Sequence, residues 1–268
     1  MRSSPPRIGL YSNHYHQARM RGIATYATQL TRHMAYLAPE TRFSAMDAVF
    51  KTDKRKQVPD IPQPNVNWRL FRLPGRVFDS LTIHSNWPLP RIMTGGLNLL
   101  HALQERMPRF TRGPSIMTVH GLAPIIRPEL YDEAYRREWT ALLDRGLERA
   151  DRVICVSGAV AEELARYRPE DASSFRAVPS GISSVFRNAG VEPGVEPGVA
   201  SEEEPAPESG EFDFPYILLV GAADPNKNLE RFLKSYSIFL SGNPSDAPEL
   251  VLIGEQSWGG YEALETLI

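Results

Sequence analysis

Short apolar runs alternate with amphipathic segments of helical length along most of this 268-residue chain. Runs that predict buried strands lie at residues 7–12, 43–50, 68–73, 97–101, 115–120 and 152–157. Strands that alternate with helices are typical of a mainly parallel sheet covered by helices on both faces. We therefore expect an α/β fold.

Two of the intervening segments predict which helix faces are buried. The apolar residues of the first are Ile23, Tyr26, Leu30, Met34 and Leu37. Those of the second are Tyr135, Trp139, Leu142, Leu147 and Ala150. Their spacing places each set on one side of a helix, which we expect to pack against the sheet.

Residues 188–214 divide the chain. This stretch, NAGVEPGVEPGVASEEEPAPESGEFDF, is rich in Pro, Gly and Glu and contains eight acidic residues without Lys or Arg. Its apolar content is too low to offset the entropy of ordering, which predicts a flexible linker or surface loop. We expect an amino-terminal Rossmann-like domain over residues 1–187 and a second domain from residue 215 to residue 268.

The segment after the linker repeats the strand and helix pattern only once. Strands are predicted at 216–221 and 249–254, with a helix from about residue 228 between them. Two parallel strands make a poor independent sheet, because sheets usually have about four to six strands. A complete domain would need on the order of a hundred more residues. We therefore expect the chain to be a truncated form of a longer protein.

Composition limits the cellular setting. No apolar run approaches the roughly 18 residues that would span a bilayer, so we expect a cytoplasmic protein. The single cysteine, Cys155, lies in the apolar run VICV and has no cysteine partner in the chain. It is therefore interpreted as a small buried side chain rather than a disulfide or a catalytic thiol.

The net charge of −2 conceals a basic remainder. Without the eight acidic residues of the linker, the charge of the rest is +6. This excess favours anionic partners such as diphosphates or an acidic membrane surface, although an ordinary solvated surface explains any single cluster equally well. The stretch WRLFRLPGRVF could lie on a membrane, but Pro74 and Gly75 interrupt a continuous helix. We favour a strand followed by a helix that packs in the core.

Polar residues follow several predicted strands, where parallel sheets bind ligands. They are His14, His16, Arg19, Arg21, Gly22, His101, His120, Gly121, Ser157 and Lys227. For any one histidine, a hydrogen-bonded structural role is the simpler alternative. No G-x-S-x-G motif surrounds Ser157, and no predicted strand is followed by G-x-G-x-x-G. A serine nucleophile and a nicotinamide site are therefore both disfavoured.

Three of these residues have distinct physical roles to offer. Gly22 opens a helix, where backbone N–H groups can hold a phosphate with Arg19 or Arg21 nearby. Lys227 precedes Asn228, a candidate N-cap, and could neutralise a diphosphate leaving group. His120 could hold or polarise a sugar hydroxyl. The alternatives are a plain tight turn for Gly22 and an exposed loop lysine for Lys227.

Six segments in order resemble the retaining glycosyltransferases of family 4, which have the GT-B fold. They are GIATYATQL, LNLLHAL, MTVHGLAPIIRPELY, RADRVICVSGAVAEEL, FRAVPSGISSVF and PYILLVGAADPNKNLERFL. The resemblance implies transfer of a hexosyl unit, for example mannosyl or glucosyl, from a nucleotide-sugar donor to a glycan or lipid-linked acceptor. It implies no metal or other cofactor, and we expect no nucleic acid partner.

The resemblance also implies roles for individual residues. His120 resembles the active-site histidine of the family, and is the predicted catalytic residue. The predicted donor or phosphate ligands are Gly22, Arg21 and Lys227. The predicted acceptor-side residues are His101, His14 and Arg19. Family members bind the acceptor mainly on the amino-terminal domain and the donor mainly on the carboxy-terminal one.

Departures from the family pattern keep two alternatives open. Gly121 stands where aspartate usually follows the histidine, and Ala222 and Ala223 stand where an arginine usually accompanies the lysine. One alternative is a non-catalytic or decayed protein that binds an acceptor. The other is a nucleotide-sugar epimerase with the same fold. A peripheral contact with an acidic membrane at the inner face is a further expectation.

Overall fold

The structure is a computed structural model. It describes residues 5–15, 22–49, 58–85, 88, 95–182, 214–220, 227–242 and 247–253. The predicted linker and the basic loop at residues 51–56 lie outside these ranges, apart from Phe214 at the linker's end. Contacts group the chain into two compact units, Met1–Val199 and Ala200–Ile268.

The first unit contains a seven-stranded sheet in which every pair of neighbouring strands is parallel. In chain order the strands are β1 (Arg7–Tyr11), β2 (Arg42–Ala48), β3 (Val66–Phe71), β4 (Leu99–Ala102), β5 (Ser115–Val119), β6 (Arg152–Cys155) and β7 (Phe175–Ala177). Their spatial order is β3-β2-β1-β4-β5-β6-β7. This is a Rossmann-like sheet whose order reverses between β1 and β4.

The predicted strands are confirmed, with ends that differ from the observed ones by no more than two residues. The sequence reasoning missed β7, a three-residue strand that pairs with β6 at the edge of the sheet. Only Phe175 of this strand is buried. A strand with one buried side chain leaves no apolar run for the sequence pattern to detect.

Six α-helices lie within the described residues and connect or follow the strands. They are α1 (Gly22–Leu37), α2 (Gly75–Asp79), α3 (Ala123–Ile126), α4 (Glu133–Arg149), α5 (Gly158–Tyr167) and, in the second unit, α6 (Leu229–Gly242). A π-helical turn, Ser80–His84, continues α2. Side chains cap two of these helices, because Asp132 accepts a hydrogen bond from the Tyr135 N–H at 2.8 Å and Ser157 accepts one from the Val160 N–H at 3.2 Å. Ser157 is thus a helix cap.

Consecutive residues of the central strands point to opposite faces of the sheet and belong to two separate hydrophobic cores. On one face, Leu10 and Ala45 pack with α1 residues such as Ala27 and Ala35. On the other face, Tyr11 and Met46 join a larger cluster that includes Phe78, Leu143, Leu147, Val153, Cys155 and Leu164. Burial on both faces explains why the strands read as nearly continuous apolar runs. Cys155 is fully buried, as predicted, and burial raises the pKa of its thiol to about 11.

The buried face of α1 differs from the predicted one. The residues buried there are Ala24, Ala27, Thr28, Thr31 and Ala35. Tyr26, Leu30 and Met34 of the predicted stripe pack only partly against the core, and Leu37 is 77% exposed. Small side chains let the helix lie close to the sheet, so the large residues flank the contact instead of forming it. Hydrophobicity alone could not distinguish these two neighbouring faces.

The stretch WRLFRLPGRVF packs in the core, as favoured from the sequence. Trp68 lies in β3 with its ring edge-on to Tyr15, at a centroid distance of 5.0 Å. Phe78 of α2 is fully buried and stacks on both Phe71 and Tyr11. No helix among the described residues is long and apolar enough to cross a bilayer.

The described part of the second unit is one strand-helix-strand motif. Strands β8 (Tyr216–Val220) and β9 (Glu249–Ile253) are parallel and are joined through α6. Leu229 and Leu233 are the buried residues of α6. Leu218, Val220 and Ile253 are about half exposed or more, at 48%, 66% and 53%. Asn228 precedes α6 with a φ of 52°, and its carbonyl accepts a hydrogen bond from the Phe232 N–H.

Gly113 allows the chain to approach β4 closely just before β5. A Cβ atom at this position would overlap with the backbone carbonyl of Asn98, which cannot move without displacing the start of β4. We expect Gly113→Ala to lower the free energy of unfolding by about 1–3 kcal/mol. Urea denaturation of the purified chain measures this.

The matched control is Gly158→Ala at the first position of α5. A Cβ there meets no atom within 4 Å, and the same substitution restricts the unfolded chain equally. We expect the control to stay within about 0.5 kcal/mol of the unaltered protein. Equal stabilities for the two variants would contradict the assigned close approach.

Candidate functional site at the strand-order reversal

A cavity of about 530 Å³ lies at the carboxyl ends of β1 and β4, where the strand order reverses. Connections diverge at such a point, which is where open α/β sheets bind ligands. Its lining comes from the segments after β1 and β4, the start of α1, and α4. The lining residues are Asn13, His14, Gly22, Ile23, Gln104, Glu105, Arg106, Tyr135, Glu138, Trp139 and Leu142.

An arginine joins the cavity to two helices. Arg106, which follows β4, forms an ion pair with Asp79 of α2 and a longer one of 3.8 Å with Glu138 of α4. Burial raises the pKa of the Asp79 carboxyl, and the Arg106 guanidinium opposes that shift. Because both carboxylates already hold Arg106, it serves mainly to fix this side of the cavity.

Two amide side chains form a further part of the lining. Gln104 donates a hydrogen bond from Nε2 to Oδ1 of Asn13, which links the segments after β4 and β1. The Gln104 side chain is 1% exposed, and its Oε1 has no hydrogen-bond partner among the described residues. A buried acceptor without a donor costs about 1–3 kcal/mol.

Glu105 adds a carboxyl group whose proton affinity is altered. Burial raises the pKa of this carboxyl, while hydrogen bonds from its own backbone N–H and that of His120, together with the charges of His120 and Arg106, oppose the shift. A carboxyl group held nearer neutrality can accept or donate a proton to a bound hydroxyl. Glu105 therefore links the cavity to His120.

His120 itself lies beside the cavity and is not part of its lining. Its Nε2 is 2.8 Å from the carbonyl oxygen of Leu103. A carbonyl only accepts, so Nε2 carries a proton and donates it to that oxygen. The ring packs edge-on against Tyr26 of α1 at a centroid distance of 4.8 Å. These contacts hold the imidazole in one orientation.

His101 is buried rather than open to a ligand. It lies within β4, one residue before its end, is 3% exposed, and its Nε2 is 2.8 Å from Oγ1 of Thr118. Thr118 in turn lies 3.4 Å from the Tyr26 hydroxyl. This chain of polar contacts connects β4, β5 and α1 behind the cavity. The geometry fits a structural histidine better than the predicted acceptor contact.

The structure brings together only part of the predicted site. His14 and Gly22 line the cavity, and His120 contacts it through Glu105. A Cβ at Gly22 would meet nothing within 4 Å, so the folded chain alone does not require glycine there. His16, Arg19 and Arg21 lie outside the described residues. Lys227 is exposed and belongs to the second unit, directly before Asn228 and α6.

Sequence reasoning missed most of the lining. Asn13, Gln104, Glu105 and Arg106 were not singled out, and neither were Tyr135 and Trp139 as ligand contacts. Their position just after the ends of β1 and β4 could have identified Asn13, Gln104, Glu105 and Arg106. The predicted site residue on β4 is His101. The cavity-lining residues of this segment begin three positions later, at Gln104. The aromatic pair had been interpreted as a core-packing stripe.

The sequence profile of Glycosyltransferase Family 4 matches residues 20–184. The match covers more than half of the chain and includes β2 to β7, α1 and most of the cavity lining. This chain belongs to glycosyltransferase family 4. The family resemblance and the α/β fold expected from the sequence are thereby confirmed.

Three curated relatives of this family 4 chain are serotype-specific mannosyltransferases WbdA from Escherichia coli. They are 27%, 26% and 26% identical over 151 residues. The aligned part is 56% of this chain but only 18% of each relative. The chain therefore corresponds to a small part of the curated relatives that it matches.

The buried His101 predicts a loss of stability in mild acid. Burial, with a smaller contribution from His120, lowers the pKa of its imidazole from 6.5 to about 4. Between pH 6.5 and pH 4 the unfolded chain binds a proton at His101 that the folded chain does not bind. The contribution of His101 to the free energy of unfolding is therefore fully present above pH 6.5 and is lost as the pH falls to 4. We expect this to account for about 3 kcal/mol of unfolding free energy.

The test compares the unaltered family 4 chain with His101→Gln, which does not titrate and can still bond Thr118. Chemical denaturation from pH 7.5 to pH 4 should give a steeper fall for the unaltered chain. His33→Gln, at an exposed position of α1, is the control and should follow the unaltered chain. Parallel profiles for all three proteins would contradict the assignment.

Proposed function

We propose that this chain carries the acceptor side of a retaining hexosyltransferase. The enzyme would move a hexosyl unit, mannosyl or glucosyl, from a nucleotide-sugar donor to a glycan or lipid-linked acceptor. The observation that carries the proposal is the polar and aromatic cavity at the strand-order reversal of a family 4 fold. The name of the relatives, mannosyltransferase, favours mannose as the transferred unit.

The proposed reaction joins an acceptor hydroxyl to the anomeric carbon of the donor sugar. The bond from that carbon to the diphosphate breaks, the nucleoside diphosphate leaves, and the hydroxyl proton is released. The described residues offer two groups for handling the acceptor hydroxyl, the Glu105 carboxyl and the His120 ring. His120 stays oriented through Leu103 and Tyr26, which keeps the cost of positioning low.

The departing diphosphate needs positive charge. In this proposal Lys227 and the backbone N–H groups at the start of α6 stabilise it, since cations and helix amino ends both attract developing negative charge. Gly22 and Arg21 would hold donor phosphate from the first unit, and His14 and Arg19 would contact the acceptor. The cytoplasmic location and the peripheral membrane contact remain predictions.

We expect His120→Ala to lower the turnover number for sugar transfer by about 100-fold or more. The free energy of unfolding of this variant should change much less than the activation free energy for transfer, because the His120 ring is only partly buried. His120→Gln retains a donor for the Leu103 carbonyl and separates loss of packing from loss of chemistry. Transfer from a panel of radiolabelled nucleotide sugars to glycan and lipid-linked acceptors measures the rates.

The matched control for His120 is His33→Ala. His33 is exposed on α1, and its Nδ1 lies 2.8 Å from the carbonyl oxygen of Gln29, one helical turn earlier. This variant should keep full activity. Unchanged turnover in His120→Ala would remove the catalytic role proposed for that residue.

We expect Lys227→Ala to lower the turnover number by about 10-fold to 100-fold, because the lysine acts as charge develops on the leaving diphosphate. Lys234→Ala is the control, since Lys234 lies on α6, the helix that follows Lys227, and forms an ion pair with Glu230. Steady-state kinetics with varied donor concentration distinguish the two variants. Equal rates for them would exclude Lys227 from the donor site.

The same assays test the two alternative functions. Release of the nucleotide together with a free epimerised sugar would identify an epimerase. Acceptor binding without any transfer, in a protein that also binds no nucleotide sugar, would identify a non-catalytic binding protein. Formation of a new glycosidic bond contradicts both.

A further inference from the structure

Two aromatic side chains form one wall of the cavity. Tyr135 and Trp139 lie four residues apart on α4, so both face the same side of the helix. Tyr135 is 46% exposed and Trp139 is half-buried against the larger core. Both rings are therefore available to a ligand that enters the cavity.

The orientation of Tyr135 is already set in the folded chain. Its ring stacks on that of Tyr131, with centroids 5.5 Å apart and planes inclined by 17°. Trp139 is held by its contact with the core. Two rings with fixed orientation offer a flat apolar surface at little entropic cost.

Five of the other lining residues have planar polar groups. Asn13, Gln104 and Glu105 come from the segments after β1 and β4, and Glu138 and Arg106 add an ion pair. Oε1 of Gln104, which has no hydrogen-bond partner among the described residues, is a buried acceptor in this group. A ligand that fits must therefore offer an apolar face to the aromatic wall and hydroxyl groups to the polar side.

A pyranose ring has this division of surface. One of its faces carries C–H groups that pack on aromatic rings, while its edges carry hydroxyl groups that donate and accept hydrogen bonds. A long isoprenoid chain would leave the cavity's amides and carboxyls without partners. Arg106 is the one Lys or Arg among the described lining residues, and two carboxylates already hold it. The part of the cavity beside α4, in contrast to the amino end of α1, is therefore poorly matched to a diphosphate.

We propose that Tyr135 and Trp139 form a stacking subsite for a sugar residue of a glycan acceptor. In this subsite the rings of Tyr135 and Trp139 pack against the C–H face of the sugar. The side chains of Asn13, Gln104 and Glu105 form hydrogen bonds with its hydroxyl groups. The inference rests on the proposed function and narrows its acceptor to a glycan. A lipid-linked acceptor would use the subsite through its sugar part.

Binding in the absence of any donor tests the subsite. The chain is titrated with manno-, gluco- and galacto-oligosaccharides of two to four residues, followed by tryptophan fluorescence and calorimetry. We expect one series to bind, and Tyr135→Ala and Trp139→Ala each to weaken binding roughly 10-fold. Tyr135→Phe and Trp139→Phe keep an aromatic ring and should lose clearly less.

Tyr36→Ala is the matched control. Tyr36 lies on α1, is 44% exposed, and is absent from the cavity lining. Its variant should bind oligosaccharides as the unaltered chain does. Because Tyr135 is exposed, its variant tests the subsite even if Trp139→Ala does not fold.

Three results would overturn the subsite. They are the absence of binding by every oligosaccharide series, unchanged affinity in Tyr135→Ala, and binding of a nucleoside diphosphate alone that depends on Tyr135 and Trp139. The proposed function fails separately. Oligosaccharide binding without transfer contradicts the transferase alone, whereas transfer with an unchanged acceptor KM in Tyr135→Ala contradicts the subsite alone.

Discussion

Parallel pairing throughout the first unit places the carboxyl ends of all seven strands at one edge of the sheet. The chain builds β2 and β3 on one side of β1 and then returns to place β4 on the other side. The connection after β1 forms α1 on one face of the sheet, whereas the α2 region and α4 pack on the other face. The cavity exists because of this separation, and the residues that line it follow these two strands or lie on α1 and α4.

Charged and polar contacts keep that opening in a defined shape. Arg106 connects the segment after β4 to Asp79 and Glu138. Arg149, at the end of α4, donates to the carbonyl of Met107 at 2.9 Å and to that of Ser85 at 3.2 Å. These bonds tie α4, the π-helical turn and the segment after β4 together. A binding surface supported in this way loses little entropy when a ligand arrives.

The local pattern of apolar residues predicts much of the fold. It predicts the residues of the site only in part. The strands of the central sheet could be located because burial on both faces demands apolar residues at successive positions. The buried side of α1 could not, since packing distance selected Ala and Thr over the more hydrophobic Tyr26 and Leu30. His101 and His120 each end a predicted strand, yet His101 is buried against Thr118 whereas His120 lies next to Glu105. Whether a polar side chain after a strand reaches a cavity depends on neighbours from distant segments.

The sequence alone determined the class of the protein. Its alternating strands and helices predicted the parallel sheet, and its six ordered segments indicated the family, because short-range periodicity and motif order are properties of the chain itself. Tertiary structure decided which residues share the cavity. Tyr135 and Trp139 share the cavity with Gln104 and Glu105 because α4 packs beside the segment that follows β4. Contacts between residues some thirty positions apart arise only when the sheet has assembled.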